Sequence, residues 1–108
     1  MVSLVERGLV FADEREVAEK LAQVEQGGFL VGFSRRGMIE LRRVDASAYA
    51  MEFYDFVSGL SHVMRRALTL SGVPRALRVV LQEVRGGSIG EYEFAVFKLA
   101  ISDGEGVR

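Results

Sequence analysis

Residues 47–71 run SAYAMEFYDFVSGLSHVMRRALTLS, and how these twenty-five residues fold determines what surrounds them. Tyr49, Phe53, Phe56, Leu60, Val63, Ala67 and Leu70 recur at alternating spacings of four and three, the spacing of one helix face. Ala50, Tyr54, Val57, Met64 and Leu68 form a second stripe beside the first. The expected helix therefore has an apolar arc of roughly 200°, where a helix on a single core needs somewhat over ~100°. Such an arc predicts two partners, the helix's own sheet and something else. At 1.5 Å per residue the helix would extend about 37 Å, while an eight-residue strand covers about 26 Å, so part of the arc overhangs the sheet. Gly59 lies at the border of the arc, where glycine costs about 1 kcal/mol relative to alanine. It reads either as tight packing on the chain's own sheet or as a notch admitting a second backbone. The expected interface with a second copy or a protein partner comprises Tyr49, Phe53, Phe56, Gly59, Val63 and Leu70.

Outward from this stretch the chain alternates strands and helices. Val2 to Phe11 is β-branched and aromatic, a strand with Gly8 as a possible bulge point. Asp13 followed by Glu16 is a capping-box pair, and Val17, Ala18, Leu21 and Val24 make a narrow helical face that ends at Gly27-Gly28. Phe29-Leu30-Val31-Gly32-Phe33 is continuously apolar, as in a strand buried on both sides. Arg35-Arg36-Gly37 turns the chain into a partner strand, Met38 to Val44. After the long helix, Gly72-Val73-Pro74 reads as a stop. Leu77 to Val84 and Tyr92 to Ile101 read as strands joined through Gly86-Gly87.

The expected order is β-α-β-β-α-β-β, an α/β (α+β) two-layer sandwich. Its natural form is a ferredoxin-like mixed or antiparallel sheet with both helices on one face. The other face would carry Arg42, Arg78, Glu91 and Glu93. Residues 1–101 form one domain and 102–108 a polar, glycine-rich tail.

Composition narrows the class. The apolar share of 49% and charged share of 27% are those of a globular protein. There is no cysteine, which excludes disulfides and thiolate metal sites and favours a cytoplasmic setting. Glu52, Asp55, Arg65 and Arg66 interrupt the longest apolar stretch, so no membrane span is expected, and Glu6 and Arg7 break any signal-peptide pattern. Asparagine is absent and arginine supplies twelve of fourteen basic residues, a bias of thermophilic or GC-rich microbial sources. Net charge is −1, but residues 35–85 carry +4 and the remainder −5, so two copies could pair through opposite faces.

No constellation amounts to a catalytic set. On the expected helix Ser58 and His62 are one turn apart, but Asp55 lies two turns, about 10 Å, from His62, too far to orient an imidazole. His62 is the lone histidine, and no spacing suggests a metal. Gly86, Gly87 and Gly90 precede a strand rather than a helix, so they do not form a phosphate cradle. No cofactor is called for. Arg35, Arg36, Arg42 and Arg43 cluster on one hairpin as a candidate anion or nucleic-acid patch, although Glu91 and Glu93 on the last strand would repel a phosphate backbone.

Several strings resemble the SepF family of cell-division proteins. They are Glu6 and Arg7 with Phe11 in the first strand, Asp13 and Glu16 to Ala18 in the capped helix, and Asp55-Phe56-Val57-Ser58-Gly59 in a later helix. Gly32 stands near the family's asparagine, and Met38 to Val44 is an added strand. The resemblance implies a small α/β dimer that binds the tail of the tubulin-like division protein and links it to the membrane. The functional expectation is thus a non-enzymatic, self-associating interaction module. A ferredoxin-like ligand- or nucleic-acid-binding module using the open sheet face and its arginines is the alternative.

Overall fold

The computed structural model describes residues 1–56 and 62–99. The elements are β1 (Val2–Leu9), α1 (Glu14–Ala22), β2 (Phe29–Phe33), β3 (Gly37–Arg43), β4 (Tyr49–Asp55), β5 (His62–Leu68), α2 (Val73–Val84) and β6 (Glu93–Leu99). Short 3₁₀ turns at Leu70–Gly72 and Ile89–Glu91 precede α2 and β6.

The long helix expected over 47–71 is instead the pair β4 and β5, and the physical reason lies in the spacing itself. A step of four is even, so Tyr49 and Phe53 share a face on a strand as well as on a helix. On the strand Met51 joins them, and Tyr49, Met51 and Phe53 are all buried. The steps of three were what favoured a helix, and the structure does not honour them. Phe56 is half exposed beyond the end of β4, and Ala67 is exposed with φ of 57°. β-branched and aromatic residues suit the pleated, half-buried surface that results.

The second helix lies further on. Leu77 to Val84, read as a strand, is the later part of α2, whose buried residues Val73, Leu77, Val80 and Leu81 fall at helical spacing. Pro74, read as part of a stop, sits in the first turn of α2, where its fixed φ suits a helix start and its missing N–H costs nothing. Arg85 ends the helix in the left-handed region, and the Gly86 N–H donates to Leu81 O at 2.9 Å. α1 starts as the sequence indicates, with Asp13 accepting from the Glu16 N–H at 3.0 Å and Glu16 from the Ala12 N–H at 2.7 Å, but it ends at Ala22, ahead of the expected stop at Gly27-Gly28.

The six strands form one antiparallel sheet in the order β1-β6-β2-β3-β4-β5. The observed succession is β-α-β-β-β-β-α-β, with β6 inserted between β1 and β2. It corrects the expected order and departs from the ferredoxin-like arrangement, while the two-layer α+β class stands. α1 and α2 pack on each other and on one face of the sheet. Between them and the sheet lie Val17, Leu21, Leu30, Ile39, Leu41, Met51, Phe53, Leu77, Tyr92 and Phe94. Tyr92 closes this core from below α2, donating its hydroxyl to Gly86 O at 2.7 Å, and its burial raises its pKa above 10.0. No helix among the described residues is long and apolar enough to cross a membrane.

Both sheet edges are irregular. β1 has register breaks between Leu4 and Glu6 and between Glu6 and Leu9, with Gly8 at φ of 73°. β5 has one opposite the Tyr49–Met51 step, where Ala67 takes φ of 57°. Bulges of this kind twist an edge away from further strand pairing.

Candidate functional site: the open face of the sheet

The face opposite the helices can be laid out in cross-strand rows from the register. One row runs Leu4, Phe97, Phe29, Arg42, Ala50 across β1, β6, β2, β3 and β4. The next runs Ala95, Val31, Glu40, Glu52, Met64 from β6 to β5. A third runs Glu93, Phe33, Met38, Tyr54. Val2 and Leu99 pair beyond the first row. The side over β1, β6 and β2 is mainly apolar, and the side over β3, β4 and β5 is mixed.

Specific contacts bind the rows together. Phe29 and Phe97 stack with centroids 5.2 Å apart, and the Arg42 guanidinium lies 5.0 Å from the Phe29 centroid, a cation–π contact. Arg42 also pairs with Glu40. Glu40 and Glu52 face each other across β3 and β4, an arrangement that needs compensation. Arg42 supplies it to Glu40, and Tyr54 donates its hydroxyl to Glu52 at 3.0 Å. That hydrogen bond raises the Tyr54 pKa above its usual 10.0, helped by partial desolvation and by both carboxylates, while Arg42 opposes the rise. Arg66 reaches Met64 Sδ at 3.0 Å. Glu40, Arg42, Val44, Ala50, Glu52, Met64 and Arg66 line a shallow depression of about 220 Å³. This is below the ~300–1,000 Å³ of pockets that enclose small organic ligands.

Apolar side chains on this face are left uncovered. Val2, Leu4, Phe33, Val44 and Leu99 are each about half exposed. β2 had read as a strand buried on both sides, yet only Leu30 and Gly32 are buried, and Phe29, Val31 and Phe33 turn to the open face.

The expected interface residues do not form one surface. Tyr49 and Phe53 are buried in the chain's own core, and Val63 and Leu70 pack against it. Phe56 is exposed, its N–H donating to Arg36 O at 2.9 Å. Gly59 and Ser58 lie outside the described residues, while Asp55 ends β4 and His62 opens β5. The four hairpin arginines are split between the ends of β3. Arg36 donates to Arg85 O at 2.7 Å, beside Arg35, Ser34 and Glu91. At the other end Arg43 ties the loops together through Val24 O at 2.8 Å and Ala46 O at 3.3 Å, and Arg42 belongs to the open face. Of the residues assigned to the open face, Arg42 and Glu93 do lie there, but Arg78 is on α2 and Glu91 is in the turn before β6. Among the described residues no group of three His, Cys, Asp or Glu side chains could hold a metal ion.

The residues the sequence reading missed are Val31, Phe33, Phe97, Leu4, Glu40 and Tyr54. Their signal was alternation: in Glu93–Leu99 the inward Phe94 and Val96 alternate with the outward Ala95, Phe97 and Leu99.

The fold and face together define an α+β two-layer protein with one sheet face left open, mainly apolar over β1, β6 and β2 and mixed over β3, β4 and β5. Compared with known proteins, the chain matches no family model, no curated protein and no solved structure. The SepF resemblance rests on its quoted strings, and Asp55, which opens the string assigned to a helix, belongs to strand β4.

Proposed function

We propose that this chain is a non-enzymatic, self-associating interaction module whose working surface is the open face of its sheet. One observation carries the reading: β2 and β6 carry apolar side chains on both faces, and the helices cover only one of them. Antiparallel sheets that face water alternate apolar with polar residues, whereas strands apolar on both faces belong to sheets covered on both. Monomeric proteins rarely expose contiguous apolar patches beyond a few hundred Å², and larger ones mark interaction surfaces. The surface thus moves from the expected helix to the sheet, and the homodimer remains the proposed assembly. A SepF-like role in cell division is the narrower form of the proposal, supported by the strings in β1 and α1. The cysteine-free composition favours a cytoplasmic site of action.

Light scattering during size exclusion tests it. The wild type should have twice the mass of the chain, and Phe33→Asp, at a half-exposed position on the face, should have the mass of one. A wild type that stays monomeric at every concentration removes self-association from the reading.

A further inference from the structure

We infer that a second copy of the chain docks on the open face about a twofold axis running across the strands, between the row of Phe97, Phe29 and Arg42 and the row of Ala95, Val31 and Glu40. This rests on the proposal that the face self-associates, and it fixes how.

An isologous interface must be self-complementary, because every contact from one copy to the other is made twice. Rotation about this axis lays each strand over its own counterpart and exchanges the two rows. Phe97 then lies over Ala95 of the second copy and Phe29 over Val31, large side chains against small ones, as interdigitating sheets require. Arg42 lies over Glu40 of the second copy. Since Arg42 and Glu40 already pair within each chain, the dimer closes a ring of four alternating charges around the axis. The ring sits on β3, one of the two middle strands of the sheet order.

The alternatives are less complementary. A twofold axis along the strands through the middle of the sheet would set Val31 over Glu40 and Ala95 over Glu52, stripping water from both carboxylates without replacing it. Edge-to-edge pairing meets the bulges of β1 and β5, and on β5 also the adjacent Arg65 and Arg66. The footprint is adequate. Six strands about 4.8 Å apart and some seven residues long, at about 3.3 Å each, give a flat area of roughly 650 Å² before side-chain relief, near the ~800 Å² per partner of a standard interface.

The test uses Glu40→Arg and Arg42→Glu, alone and mixed. Alone, each places like charges together twice across the interface, and the dimer dissociation constant should rise roughly a hundredfold or more. Mixed, the first variant offers two arginines to the two glutamates of the second, and heterodimers should form with affinity within about tenfold of wild type. A wild-type monomer would defeat the proposed function and this inference together. Variants that dimerise like wild type, or monomeric variants whose mixture stays monomeric, would overturn the inference alone. Because the chain has no cysteine, single introduced thiols give a second readout with the charges intact. Ala50→Cys, beside the axis, should cross-link to dimer with a short flexible bis-maleimide, and Val79→Cys, on the outer side of α2, should not. The reverse pattern rejects this geometry even if the charge variants fail to fold.

Discussion

Ala67 shows how one residue shapes an edge. It sits in the irregular part of β5 with φ of 57°, a conformation that costs an L-residue with a Cβ about 1–2 kcal/mol and glycine almost nothing. Its side chain is exposed, so little packing offsets that strain. Glycine there also adds freedom to the unfolded chain, which takes back part of the gain. Ala67→Gly should therefore stabilise the protein by about 0.5–1 kcal/mol, raising the melting temperature by roughly 2–6 °C. A lower melting temperature would show that the left-handed turn is not a feature of β5 in solution. Gly8, at φ of 73° in β1, meets the same demand with the residue suited to it.

At the scale of elements, β4 and the helix expected in its place bury different residues. Met51 belongs to neither apolar stripe of that helix, yet it is 1% exposed; Phe56, central to the first stripe, is 52% exposed. Met51→Ala should cost about 2–4 kcal/mol in denaturant unfolding and Phe56→Ala under about 1 kcal/mol. The opposite order would restore the helix. The contrast also shows what could be read in advance. The start and face of α1 were legible because a cap and a stripe agree, and β2 and β3 because a short apolar run meets a turn. β4 and β5 were not, because even spacings serve both periods and no proline or glycine pair marks a turn within 47–71. α2 was obscured by its β-branched run Val79-Val80, and only Pro74 ahead of the stripe marked its start. The open face reads from the sequence as a charged one, with Arg42, Arg78, Glu91 and Glu93, and its apolar half is not legible there. Residues such as Phe97 and Val31 gain meaning only when the register sets them in one row.

For the whole molecule, one layer of helices covers one face of the sheet, and apolar side chains on the other face lack cover. If a second copy supplies that cover, stability is inseparable from concentration, because only the folded chain has the face to present. Each tenfold rise in concentration then adds about 0.7 kcal/mol per chain, half of the ~1.4 kcal/mol that a tenfold change carries for the dimer. For a domain of this size that moves the melting temperature by roughly 2–5 °C. Phe33→Asp removes an exposed apolar side chain from the face and leaves the core beneath the helices untouched. Its melting temperature should therefore be independent of concentration and should approach that of the wild type at high dilution. Scanning calorimetry over a wide concentration range on both proteins separates the possibilities. A concentration-dependent wild type beside a flat variant ties the extra stability to the sheet face. Two flat lines mean that the face stays open, and two parallel slopes mean that the chains meet elsewhere.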